Sequence, residues 1–104
     1  MAVVEPAALA ALCTRIPAGR WTSYGDLADA LGLPGRSRAV ARVLADHHDV
    51  PNAHRVLLAS GRVSPGWGVV GGGRPETARR LLESEGVRFS RAGVADPARR
   101  WHPS

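Results

Sequence analysis

The sequence predicts a mainly α-helical domain with a short β element, in the winged-helix-like helix-turn-helix class. Three observations lead to it. Apolar residues recur at three- and four-residue spacings in four stretches, the period of a helix with one face inward. Two of those stretches are separated only by a connection through Gly32, Leu33, Pro34 and Gly35, a short glycine-containing turn of the kind that joins such helix pairs. A short run around Val56 and Leu57 then favours extended backbone.

The first helix is expected from Pro6 to Arg15. Proline suits the first turn, where its missing N–H would have no partner anyway, and Ala7, Leu9, Ala10, Leu12 and Cys13 follow at helical spacing. Ile16-Pro17-Ala18-Gly19 ends it, and Arg20-Trp21-Thr22 should form a brief extended segment. Thr22 or Ser23 can cap a second helix, with Asp26 placing negative charge in its first turn; Leu27, Ala28 and Leu31 form the apolar stripe and Gly32 the stop. From Ser37 to Ala45 a third helix turns Val40, Val43 and Leu44 inward and sets Arg38 and Arg42 on one side, four residues apart. The helix-turn-helix thus covers about 23–46.

Arg55 to Leu58, a turn through Ala59-Ser60-Gly61, and Arg62-Val63 read as a strand, a turn and a second strand. Ser64 to Gly73 holds Gly66, Gly68, Gly71, Gly72 and Gly73 and should be a mobile loop. Pro75 opens a last helix through Glu85, with Ala78, Leu81 and Leu82 inward and Gly86 ending it. The remaining residues have no clear period, apart from a closing Trp101-His102-Pro103.

A chain of 104 residues supports one hydrophobic core, so residues 1–104 are taken as one domain, which the expected helices nearly fill from the start. All fourteen basic residues are arginine and nine are acidic, giving a net charge of +5. Guanidinium groups fork onto phosphates and stack on bases, so the balance favours a polyanion partner. With one cysteine, Cys13, no intramolecular disulfide can form; no basic and apolar leader opens the chain and no run is long enough to span a bilayer. A cytoplasmic protein is expected, nucleoid-associated if bacterial.

Arg38 opens the third helix beside the small residues Ser37, Ala39 and Ala41, which let a backbone approach DNA closely. Tyr24, the single tyrosine, stands at the start of the second helix. It either touches a phosphate or packs its ring inward and hydrogen-bonds locally. His47, His48, Asp49 and His54 carry metal-ligand chemistry, but adjacent histidines point apart and the spacing matches no standard motif, so no metal is expected.

Pro51-Asn52-Ala53-His54-Arg55-Val56 resembles the active-site block of the O6-alkylguanine-DNA alkyltransferases, where proline, cysteine, histidine, arginine and valine follow one another. The resemblance continues through Ile16 to Arg20, Thr22 to Ala28, Ser37 to Val40, Ser60-Gly61 and Leu81 to Val87, in the family's order. It covers the DNA-binding part and not the additional N-terminal domain of larger members. Anchored on His54-Arg55-Val56, Ala53 falls at the nucleophile position, with one extra residue after Pro51. The sequence is therefore closest in kind to the cysteine-free branch, the alkyltransferase-like proteins, which usually carry tryptophan there.

The resemblance implies that the second helix of the motif enters the minor groove, Arg38 takes the place of an extruded nucleotide, and Tyr24 helps rotate its phosphate, with Arg42 alongside. His54 and Glu85 match the residues that activate the cysteine, and are left without one to activate. Asn52, Ala53, Arg55, Ser64 and Trp67 would line the lesion pocket; Trp67 or Arg74 would replace the loop arginine of the cysteine-free branch, or else Trp67 is a hydrophobic lid and Arg74 is solvated. The expected function is a non-enzymatic sensor that flips O6-alkylguanine out of double-stranded DNA and flags it for nucleotide excision repair proteins, acting as a monomer without cofactor or membrane attachment. Two other readings remain. A helix-turn-helix transcription regulator would need base-reading side chains where Ala39, Val40 and Ala41 stand. An active alkyltransferase would have to use Cys13.

Overall fold

The computed structural model describes residues 3–47, 49–69 and 72–103. Helix α1, Pro6–Thr14, begins on its proline and buries Leu9, Leu12 and Cys13. Strand β1, Thr22–Ser23, runs directly into α2, Tyr24–Ala30. The junction is held by a capping box: Ser23 Oγ accepts from the Asp26 N–H at 3.0 Å, and the Asp26 carboxylate accepts from the Ser23 N–H at 3.3 Å. Gly32 ends α2 with φ +76°, a left-handed turn that lets the Gly32 and Leu33 N–H groups bond back to Asp29 and Ala28. Helix α3, Ser37–Asp46, then packs across α2 on Val40. The helix-turn-helix is as the spacing predicts.

Strand β2, Val56–Leu57, follows a 3₁₀ turn at Ala53–Arg55 and pairs in parallel with β1, Thr22 opposite Val56 and Ser23 opposite Leu57. The second strand expected at Arg62-Val63 does not form. Gly61, at φ +85°, turns the chain so tightly that an added Cβ would lie 3.0 Å from Val94 Cγ1. The turn closes with one bond back, from the Leu58 N–H to the Arg62 carbonyl at 2.9 Å, and the Gly61 carbonyl then accepts from the Ala95 N–H at 2.9 Å, so the segment goes on to meet the C-terminal stretch. Helix α4, Pro75–Ser84, ends as expected at Gly86, with the Val87 N–H bonded to the Leu82 carbonyl, and buries Ala78 and Leu82, whereas Leu81, expected inward, is exposed.

The C-terminal stretch is the larger departure from expectation. It is stitched along β1 without forming a regular element beyond a 3₁₀ turn at Pro97–Arg99. Trp21 donates its N–H to the Arg99 carbonyl at 3.0 Å and accepts from the Trp101 N–H at 2.6 Å, while its indole donates to the Asp96 carbonyl at 2.9 Å. Trp21, Leu57, Leu82, Val87 and Ala95 pack into one core cluster; a second joins α1, α2, Val40, Val50 and Val56. Arg100 closes the arrangement. It donates to both Asp26 carboxylate oxygens at 2.9 and 3.1 Å and to Ser23 Oγ at 3.2 Å, with its guanidinium 5.4 Å from the Trp21 ring centroid.

A bidentate charged contact of this kind contributes about 1–3 kcal/mol. Arg100→Ala is expected to lower the unfolding free energy by that amount, and Asp26→Asn in the same background to add little, because both remove one interaction. Urea unfolding of the single and double variants measures it; additive losses would contradict the shared contact.

Candidate nucleic-acid interface

A cavity of about 480 Å³ lies where α3, the start of α2, the 3₁₀ turn and the 64–74 loop meet. That is within the roughly 300–1,000 Å³ of small-molecule sites. Helix α3 supplies one wall through Ala41, Arg42, Leu44 and Ala45, the spacing of neighbouring positions on one helix side. Ala53 and Trp67 form another, and Tyr24, Ser64 and Thr77 bring hydroxyl groups.

Tyr24 adopts the inward arrangement. It is 7% exposed, packs in the core cluster and hydrogen-bonds its hydroxyl to Ser64, while one side still lines the cavity. Burial pushes its phenol pKa up, partly offset by the Ser64 bond. Trp67 is anchored, its indole N–H donating to the Ala53 carbonyl at 3.0 Å. That bond fixes the loop beside the one-carbon side chain of Ala53. Arg74 is exposed and precedes α4 as its N-cap.

Asn52 and Arg55 do not belong to the cavity, contrary to expectation. Asn52, at φ +62°, swings its amide to the Cys13 carbonyl at 3.1 Å. Arg55 points the other way, onto Glu85 and the Ile16 carbonyl. On the outer side, Arg38 is exposed, while Ser37 and Ala39 are half-buried, Ala39 packing in part against the core. His47 also lines the cavity; spacing had marked it only for metal chemistry. His48 lies outside the described residues, and among those described no group of three His, Cys, Asp or Glu side chains is placed to hold a metal ion.

Beside Ala53 stands the best-connected group of the site. Glu85, held at the end of α4, accepts from His54 Nε2 at 2.7 Å, from Arg55 Nε and Nη2 at 3.0 and 2.8 Å, and from the Gly19 N–H at 3.1 Å. Burial alone would raise its carboxyl pKa, but Arg55, His54 and the Gly19 amide overcome that and hold it at about 2. Cys13 is fully buried in α1, and burial pushes its thiol up to about 11. It does not line the cavity.

Residues 6–87 match the family model of the 6-O-methylguanine DNA methyltransferase DNA-binding domain. The chain belongs to this family. It is 42% identical to the methylated-DNA–protein-cysteine methyltransferase of Mycobacterium tuberculosis over 74 residues, which are 67% of this chain and 41% of that protein. The chain therefore spans about two fifths of the length of such a relative. Among solved structures it is similar to S. pombe Atl1, an alkyltransferase-like protein, in complex with damaged DNA containing O6-carboxymethylguanine, with 28% identity, a TM-score of 0.69 and 92% of both chains covered. It is also similar to the M. tuberculosis O6-methylguanine methyltransferase, with 32% identity, a TM-score of 0.63, and 82% of this chain and 50% of that one covered. The family match stops short of Arg100, so the clamp on the cap of α2 lies outside it.

The low carboxyl pKa of Glu85 fixes the sign of a pH effect. Its folded value, about 2, lies below its ordinary 4.5, so the stabilisation is fully present above that ordinary value and is lost as pH falls toward 2. Glu85→Gln is expected to be less stable at neutral pH by about 1.5–3 kcal/mol, since Arg55 and His54 lose their charged acceptor while Arg55 keeps its bond to the Ile16 carbonyl, and to lose less on acidification. Thermal melts from pH 7 to pH 2 test this; parallel acid losses in both proteins would contradict it.

Proposed function

We propose that the chain is a non-enzymatic sensor of O6-alkylguanine in double-stranded DNA. The observation that carries this reading is the wall of the cavity at Ala53: next to an intact His54–Glu85 pair, the position that meets the cavity holds a methyl group. A nucleophile is missing and the space for a base remains. The family's fold and the likeness to a protein seen on damaged DNA support a DNA partner.

In this reading α3 approaches the minor groove and Arg38, exposed on its first turn, replaces the extruded nucleotide in the stack. Extrusion costs a few kcal/mol, and a planar guanidinium restores both stacking and hydrogen bonds. The flipped base enters beside Ala53, Ser64 and Trp67, with Tyr24 at the wall nearest its sugar and phosphate. Arg42 follows Arg38 on the same side of the helix. Cys13 does not substitute as alkyl acceptor, because a buried thiol whose pKa is about 11 supplies almost no thiolate at neutral pH. The held lesion is then passed to nucleotide excision repair in the cytoplasm, the protein acting as a monomer. No described helix is long and apolar enough to cross a membrane.

The test is affinity for duplexes with and without O6-methylguanine at fixed salt. The modified duplex is expected to bind more tightly, with Arg38→Ala losing about tenfold or more of that preference and the protein showing no mass gain after incubation. Equal binding to both duplexes would reject lesion sensing, and stoichiometric alkyl transfer would reject the absence of chemistry.

A further inference from the structure

Beyond Gly86 the chain carries four arginines, Arg88, Arg91, Arg99 and Arg100, against one acid, Asp96. The family match ends at Val87, so this charge belongs to the stretch outside it. Arg100 is turned inward onto Asp26. The other three are exposed, and among the described residues their side chains have no hydrogen-bond or ion-pair partner.

Two further arginines are drawn to them from earlier in the chain. Arg62 Nη1 donates to the Ala92 carbonyl at 2.6 Å, beside Arg91, and Arg20 Nη1 donates to the Ala98 carbonyl at 3.4 Å, beside Arg99. Arg88 joins the middle of the same stretch, its carbonyl accepting from the Asp96 N–H at 2.9 Å. The neighbouring carboxylates are engaged: Asp96 accepts from the Ala98 N–H at 3.0 Å, and Glu85 is held by Arg55 and His54.

These charges lie on the other side of the sheet from α3. Val56 and Leu57 are successive residues of β2, so their side chains leave opposite faces. Val56 joins the cluster that contains α1, α2 and Val40 of α3, whereas Leu57 joins Trp21, Val87 and Ala95. The 88–99 stretch covers this second cluster.

Protein interfaces centre on apolar anchors, while DNA interfaces are polar and strongly positive. The large apolar residues exposed among those described, Val3, Val69 and Leu81, belong to none of these segments. Guanidinium groups, in turn, fork onto phosphate oxygens. We propose that Arg20, Arg62, Arg88, Arg91 and Arg99 form a second DNA-binding face, which takes the phosphates of another duplex segment while α3 holds the first, so that one molecule bridges two segments. The inference rests on α3 as the first DNA face and goes beyond lesion sensing, because phosphate contacts carry no base information and the second segment needs no lesion.

A bead-held duplex and a free labelled duplex, both unmodified, test it. The natural protein is expected to retain the labelled duplex on the beads. A triple variant, Arg88→Gln with Arg91→Gln and Arg99→Gln, should retain about tenfold less while still binding the bead-held duplex and melting at the same temperature, each single replacement accounting for about twofold. Three phosphate contacts give a salt exponent of about −2.7, so raising salt from about 50 to about 150 mM should weaken capture roughly twentyfold or more. No protein-dependent capture, or capture undiminished in the triple variant, would overturn the proposal. So would capture that follows a protein dimer seen by sedimentation without DNA, or polyglutamate displacing the labelled duplex at lower charge concentration than free duplex does, which would make an acidic polypeptide the partner. Capture between unmodified duplexes supports the second face even where O6-methylguanine gives no preference, so the two readings fail separately.

Discussion

The fold depends on one carboxylate. Glu85 gathers hydrogen bonds from the loop after α1, through the Gly19 N–H, and from the 3₁₀ turn, through His54 and Arg55, while Arg55 reaches on to the Ile16 carbonyl. Burying an ion pair costs several kcal/mol per charge unless the remaining donors and acceptors are also matched. Here they are matched, and no described buried side-chain polar atom lacks a partner. The position of the 3₁₀ turn follows from this, and so do the start of β2 and the placement of Ala53 at the cavity.

That arrangement gives His54 and Glu85 a role that needs no reactive neighbour. Glu85 ties the end of α4 to the loop after α1, so removing it would disturb the framework whether or not a nucleophile is present. The pair is a structural element first.

The helix-turn-helix and α4 were legible because their signals are local: Ser23 and Asp26 three residues apart, and glycines just past the ends of α2 and α4. The cavity was legible in part. A 3₁₀ turn sends successive side chains about a third of a revolution apart, so the contiguous block from Asn52 to Arg55 cannot all face one pocket, and Ala53 alone of these lines it. The C-terminal stretch was not legible. Its contacts to Trp21 and Asp26 cross more than seventy residues, and they use main-chain atoms and one arginine among fourteen, which leave no period to find.

Those long-range contacts also order events in time. Asp26 and Ser23 can cap α2 as soon as they are made, but Arg100, which holds that cap against Trp21, is synthesised 74 residues after Asp26. A nascent chain can therefore form its pair of helices early from local signals, whereas the Arg100 clamp on their cap waits until the C-terminal stretch has emerged.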